Sequence, residues 1–176
     1  MLRRLITACI LLPAAVAHAQ HSSADFTQDY QREALAMFHD VIAMRTAEGH
    51  GKVPEMAAYM ERQFLDAGFY ENEVRLLPHT LPTGEEVASL VVRYRGNGLS
   101  GKKPILLLAH MDNVDAIRSD WERDPVTRIV EDGYFFGRGT LVNKLGIIAL
   151  TSAFLPHMRD EFTPTRDLNI AFTGDV

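Results

Sequence analysis

The chain has very little sulphur chemistry to offer: a single cysteine, Cys9, in 176 residues. Cys9 stands inside an apolar N-terminal stretch, so everything after it lacks disulfides, thiolate metal ligands and a cysteine nucleophile. Positive charge is scarce as well. Eighteen Lys and Arg face 23 Asp and Glu, a formal net charge of −5, and no basic patch of the kind that binds nucleic acid stands out. Beyond the N-terminus no apolar run approaches the roughly 20 residues of a membrane span. No Gly-x-Ser-x-Gly elbow is present, which leaves serine hydrolysis without a nucleophile. Internal repeats and low-complexity segments are absent too.

Residues 1–19 read as an export leader. Arg3 and Arg4 form a basic start, residues 5–16 an apolar middle, and Ala17-His18-Ala19 a small-residue cleavage site. A lipidated-cysteine reading around Ile6-Thr7-Ala8-Cys9 leaves too few residues ahead of Cys9 for a basic start and an apolar region. The expected location is therefore periplasmic or extracellular, without a membrane anchor after cleavage. Cleavage also removes two arginines and makes the charge more negative.

In the rest of the chain, helix-like and strand-like patterns alternate, which defines an α/β class. Leu35, Phe38, Val41 and Ile42 recur at helical spacing within residues 30–45. Pro54 opens a second amphipathic helix with Met56, Tyr59, Met60, Phe64 and Leu65, and Gly68 stops it. Strands are expected at 73–77, 87–95 and 168–172, and Asp132-Gly133 marks a hairpin between 128–130 and 134–136. A further helix is expected over 143–158.

The stretch Pro104–Asp115 organises these pieces. Ile105-Leu106-Leu107-Leu108-Ala109 is an unbroken apolar run, read as a central strand covered on both faces. It ends in His110-Met111-Asp112. Residues two apart on a strand share a face, and ligands of open α/β sheets bind beyond the carboxyl ends of strands. A histidine there is suited to metal, and a carboxylate two residues on can orient its ring. Taken alone, His-x-Asp is also a common way to close a core strand.

The residues that follow sharpen the reading: Trp121, Asp124-Pro125, Asp132-Gly133-Tyr134-Phe135-Phe136-Gly137-Arg138-Gly139-Thr140, Asn143-Lys144 and finally Thr173-Gly174-Asp175. In this order the chain resembles the co-catalytic zinc peptidase family of glutamate carboxypeptidase, aminoacylase, acetylornithine deacetylase and succinyl-diaminopimelate desuccinylase. The resemblance implies a three-layer catalytic domain with a mixed, largely parallel central sheet flanked by helices. It implies two zinc ions and a separate lid or dimerisation domain through which members of the family often dimerise. Residues 20–176 are then expected to be the amino-terminal, incomplete part of the catalytic domain, with the lid domain absent.

By the same resemblance His110 is a terminal metal ligand and Asp112 the catalytic-site aspartate that supports it. The acid expected to bridge two metals falls at Val142, and the general base at Val176. No substrate-binding residue is assignable. The implied activity is hydrolysis of amide bonds in peptides or N-acyl amino acids, and the chain as written is expected to be inactive. A non-catalytic peptide-binding remnant or decayed gene product, and an aminopeptidase of the related zinc clan, are the alternatives. In the family the bond after the bridging Asp is cis; with Val142 there, trans is expected in metal-free crystals. Bland readings suit the other polar groups. Arg138 positions its loop, Lys144 caps or salt-bridges, Asp115 and Asp120 are solvated, Asp124 caps the turn at Pro125, and His39, His50, His79 and His157 lack ligand spacing.

Overall fold

The computed structural model describes residues 28–175; the expected leader and Val176 lie outside the described residues. Two helices open it, α1 (Asp29–Ala43) and α2 (Val53–Asp66). Each buries the stripe that its spacing marks: Phe38, Val41 and Ile42 on α1, and Met56, Met60 and Phe64 on α2. Gly68 ends α2 with φ +103°, a conformation that glycine adopts without penalty. Its N–H donates to Leu65 O, and Phe69 N–H donates to Phe64 O, the paired bonds of a Schellman cap. The rings of Phe64 and Phe69 close that cap edge to face at 5.4 Å.

Four strands form one sheet: β1 (Val74–Thr80), β2 (Glu86–Tyr94), β3 (Ile105–His110) and, far along the chain, β6 (Leu168–Thr173). Their order is β1-β2-β6-β3. The sheet is mixed, as expected, with β6 parallel to β3 and antiparallel to β2, and β1 antiparallel to β2. It is more antiparallel than the largely parallel sheet foreseen. A small hairpin joins β4 (Ile129–Glu131) and β5 (Tyr134–Phe136) through Asp132 and Gly133 at φ +50° and +80°, the positive-φ pair that a tight hairpin turn requires.

α3 (Gly146–Arg159) starts three residues later than the apolar spacing suggests. Val142 (φ −121°, ψ 105°) and Asn143 (φ −127°, ψ 18°) are non-helical and break the turn Thr140–Leu145. Thr140–Arg159 has the length and apolarity of a membrane span, contrary to the reading above. The break and the burial of Ile147, Ile148, Phe154 and Leu155 make α3 a core helix instead.

α2 and α3 cover the same face of the sheet. Phe64 meets Phe172 at 6.4 Å, and Tyr94 touches both Phe69 and Phe154. Leu90, Val92, Ile170 and Phe172 are fully buried there. The other face is open among the described residues. Among the described residues β3 is the outer strand of the order rather than a covered central one, with Leu106 58% and Leu108 65% exposed. A five-residue apolar run does not reveal which of its faces is covered, and it is β6 that takes the interior place.

Gly96, just past β2, lies so close to the backbone of Arg166 that a Cβ would sit 2.4 Å from it. Backbone on both sides leaves no side chain to yield. Gly96→Ala is expected to destabilise the fold by roughly 1–3 kcal/mol, read as a lower urea midpoint at unchanged m-value.

Candidate functional site

The parallel pairing sets His110 opposite Thr173, and Met111 N–H donates to Thr173 O at 2.9 Å. Two strand ends thus come together, carrying His110-Met111-Asp112 and Thr173-Gly174-Asp175. Gly174 packs under Ala88, whose oxygen would be 2.5 Å from an added Cβ. His110 Nδ1 lies 3.2 Å from Asp112 Oδ1 and 3.1 Å from Asp112 O. With Nδ1–H donating to Asp112, the lone pair falls on Nε2. A cavity of about 450 Å³ opens beside this corner, and Glu48, Glu85, Asp112, Asp115 and Asp175 stand in its wall. Glu85 accepts from Gly49 N–H and Gly51 N–H, which hold its carboxyl below the usual range.

Val142 sits in a turn, Thr140–Leu145, that contacts β3. It is 62% exposed, and its turn neighbours Leu141 and Leu145 line a different, apolar cavity with Leu35, Phe38 and Phe135. The Val142–Asn143 peptide is cis; the trans expectation concerns metal-free crystals. Val176, the other altered position, lies outside the described residues. Among the described residues, no three His, Cys, Asp or Glu side chains converge to hold a metal. The described residues do not fit a zinc pair: His110 supplies one nitrogen, and no set of three His, Cys, Asp or Glu side chains gathers around it.

The scaffold around the site is nevertheless well tied. Thr46, fully buried, donates its hydroxyl to Met111 O at 2.6 Å and accepts from Asn113 Nδ2 at 2.7 Å. Gly139 (φ +78°) faces the same Asn113, whose Oδ1 would be 2.3 Å from a Cβ. Neither Thr46 nor Asn113 stood out in the sequence, because single hydroxyl and amide groups carry no periodic signal. Arg138 positions its loop. Its N–H reaches Pro125 O, its guanidinium stacks over Trp121 at 5.2 Å, and Nη2 reaches Asp115 O at 3.3 Å. Asp124 caps the Pro125 turn by accepting from Val126 N–H and Thr127 Oγ1. Asp115 is not merely solvated: Arg45 grips it through Nε and Nη2, both at 2.7 Å, which holds its carboxyl well below the usual range.

Residues 106–175 match the family described as Peptidase family M20/M25/M40. Over 73 residues, 42% of this chain, the sequence is 36% identical to the N-fatty-acyl-amino acid synthase/hydrolase PM20D1 of Bos taurus, covering 14% of that protein. It is 32% identical over 91 residues, 51% of this chain, to the probable carboxypeptidase S-like 2 of Dictyostelium discoideum, covering 18% of that protein. The structure of human carnosine dipeptidase 1 superposes with a TM-score of 0.67 at 18% identity over 82% of this chain and 32% of that one, a likeness of fold. The resemblance to M20 peptidases is thereby shown for part of the chain. The chain spans well under two thirds of the proteins that it matches.

Among the described residues Lys144 makes no salt bridge; of the two roles read from the sequence it takes the cap, at the C-terminal end of α1. Its side chain is buried, with Nζ donating to Met44 O at 2.5 Å, and burial pulls its amine from 10.5 to about 8. A depressed folded-state value means that the unfolded chain holds the proton more tightly. Burial therefore disfavours folding below about pH 8, and the penalty fades as pH rises toward 10.5. Lys144→Met should abolish this alkaline gain in stability, measured by urea unfolding across that window. Near neutral pH the relief of about 3 kcal/mol is largely offset by the stranded Met44 carbonyl, which costs about 1–3 kcal/mol.

Proposed function

We propose that the chain is built on the plan of a zinc-dependent hydrolase of amide bonds in peptides or N-acyl amino acids, and that in its present sequence it is catalytically silent. Val142 carries this reading. It occupies the place of the bridging acid within an otherwise matching Gly137-Arg138-Gly139-Thr140 and Asn143-Lys144 frame, and it offers no donor to a cation. His110, steadied by Asp112, remains as a single ligand, too few to hold a metal pair. N-fatty-acyl amino acids enter as candidate substrates through the name of a matched relative. Export with loss of residues 1–19 belongs to the same proposal.

A non-catalytic binder of peptides is the second reading. It is favoured by the cavity beside Asp112 and Asp175, which needs no metal to admit a ligand.

Purified protein, dialysed and analysed by inductively coupled plasma mass spectrometry, is expected to retain less than one zinc per chain. It should show no turnover of dipeptides or N-acyl amino acids. Two tightly held zinc ions, or hydrolysis abolished by a chelator, would overturn the silent reading. Val142→Asp alone is expected to leave hydrolysis undetected. Activity from that one change would show that Val142 is the whole lesion. Saturable peptide binding without turnover supports the second reading.

A further inference from the structure

One peptide unit just past β3 faces two ways. Its carbonyl, Asp112 O, lies 3.1 Å from His110 Nδ1, and its amide, Asn113 N–H, donates to Thr46 O at 3.1 Å. Among the described residues only Val142–Asn143 is cis, so this peptide is trans. In a trans peptide the C=O and N–H point to opposite sides of one plane, and fixing the amide fixes the carbonyl. Thr46 holds the segment through its side chain as well. Its hydroxyl donates to Met111 O at 2.6 Å and accepts from Asn113 Nδ2 at 2.7 Å, which uses the single hydrogen that a hydroxyl can give. Thr46 and Met111 are fully buried, and Ala47 and Asn113 form a parallel β-bridge. From the other side, Met111 N–H is tied to Thr173 O at 2.9 Å.

A carbonyl oxygen only accepts, so the contact with Asp112 O requires the imidazole proton to sit on Nδ1. The Asp112 carboxylate, 3.2 Å from the same nitrogen, favours that proton too. A side chain can rotate away, whereas the carbonyl leaves only if the peptide plane turns. A histidine in water prefers its proton on Nε2; in a folded site the tautomer follows the bond that the other nitrogen makes. We propose that Thr46 is a positioning residue for His110. By holding the Asp112–Asn113 peptide, it keeps the proton on Nδ1 and leaves Nε2 as the bare, basic nitrogen. This concerns where one proton sits and stands apart from the hydrolase reading.

Long-range proton–nitrogen correlation spectra of the labelled full chain read the tautomer directly. They are recorded at mildly alkaline pH, where imidazoles are neutral, with a chelator present so that no cation occupies Nε2. The His110 signals are assigned by their loss in His110→Gln. A pyrrole-like Nδ1 and a pyridine-like Nε2 are expected. Thr46→Val keeps the shape but not the hydroxyl, and should shift the tautomer ratio several-fold toward Nε2–H; Thr46→Ser should restore it. Thr151→Val removes an equally buried hydroxyl, one that donates to Ile147 O within α3, and should leave His110 unchanged. A bare Nδ1 in the unsubstituted chain overturns the proposal. So does an Nδ1–H pattern that survives in folded Thr46→Val, or one lost equally in Thr151→Val. If Thr46→Val fails to fold, Asn113→Ala takes its place. It deletes the Nδ2 bond to the Thr46 hydroxyl and should move His110 in the same direction; an unmoved tautomer there overturns the proposal.

Discussion

The last strand in the sequence occupies the middle of the sheet, and much of the architecture follows from that insertion. β6 gives its backbone to β2 on one side and to β3 on the other. Without it, β3 has no partner among the described residues and α3 has no shared floor with α2. Ile170 and Phe172 complete the buried face that both helices press upon. The same insertion carries Gly174 and Asp175 alongside His110 and Asp112, so the geometry of the candidate site is inherited from a pairing across more than sixty residues. Contacts this distant slow folding, because the loop between them must close before they form.

Much of this was legible in the sequence. Helical spacing placed α1 and α2 to within two residues, and Asp132-Gly133 located the hairpin, because both signals are local. What could not be read is what depends on neighbours. The run Ile105–Ala109 states that a strand is apolar, but not whether it ends up inside the sheet or at its edge. The spacing of Leu145, Ile148 and Leu155 marks a helix face, yet it is silent about the non-helical backbone at Val142 and Asn143 that delays the start of α3. Asp115 looked like one carboxylate among several in a loop. Its partner Arg45 lies seventy residues earlier, and no pattern joins them.

Two layers of the site separate cleanly. The parts that hold loops in place, Thr46 with Asn113 and Gly139, Arg138 with Trp121, and Asp124 with Thr127, are present, with Asn113 Oδ1 and Arg138 Nε left as buried polar atoms without a hydrogen bond. Among the described residues the groups proposed to serve a cation are His110 and Asp112, which make no cluster of three ligating side chains. The motif residues that carry the family resemblance belong largely to the first layer. A likeness to M20 peptidases over residues 106–175 can therefore rest on loop-holding residues alone.

The burial of Lys144 also divides the lysines into two kinds. The chain has four, and Lys52, Lys102 and Lys103 stand in solvent, whereas the ammonium of Lys144 lies beneath the turn that follows Gly139. An amine-directed acylating reagent therefore meets three open targets and one that is reachable only when α3 parts from the loop after α1. The order in which the four are labelled becomes a measure of how often that seam opens, legible in a mass spectrum without any ligand or activity.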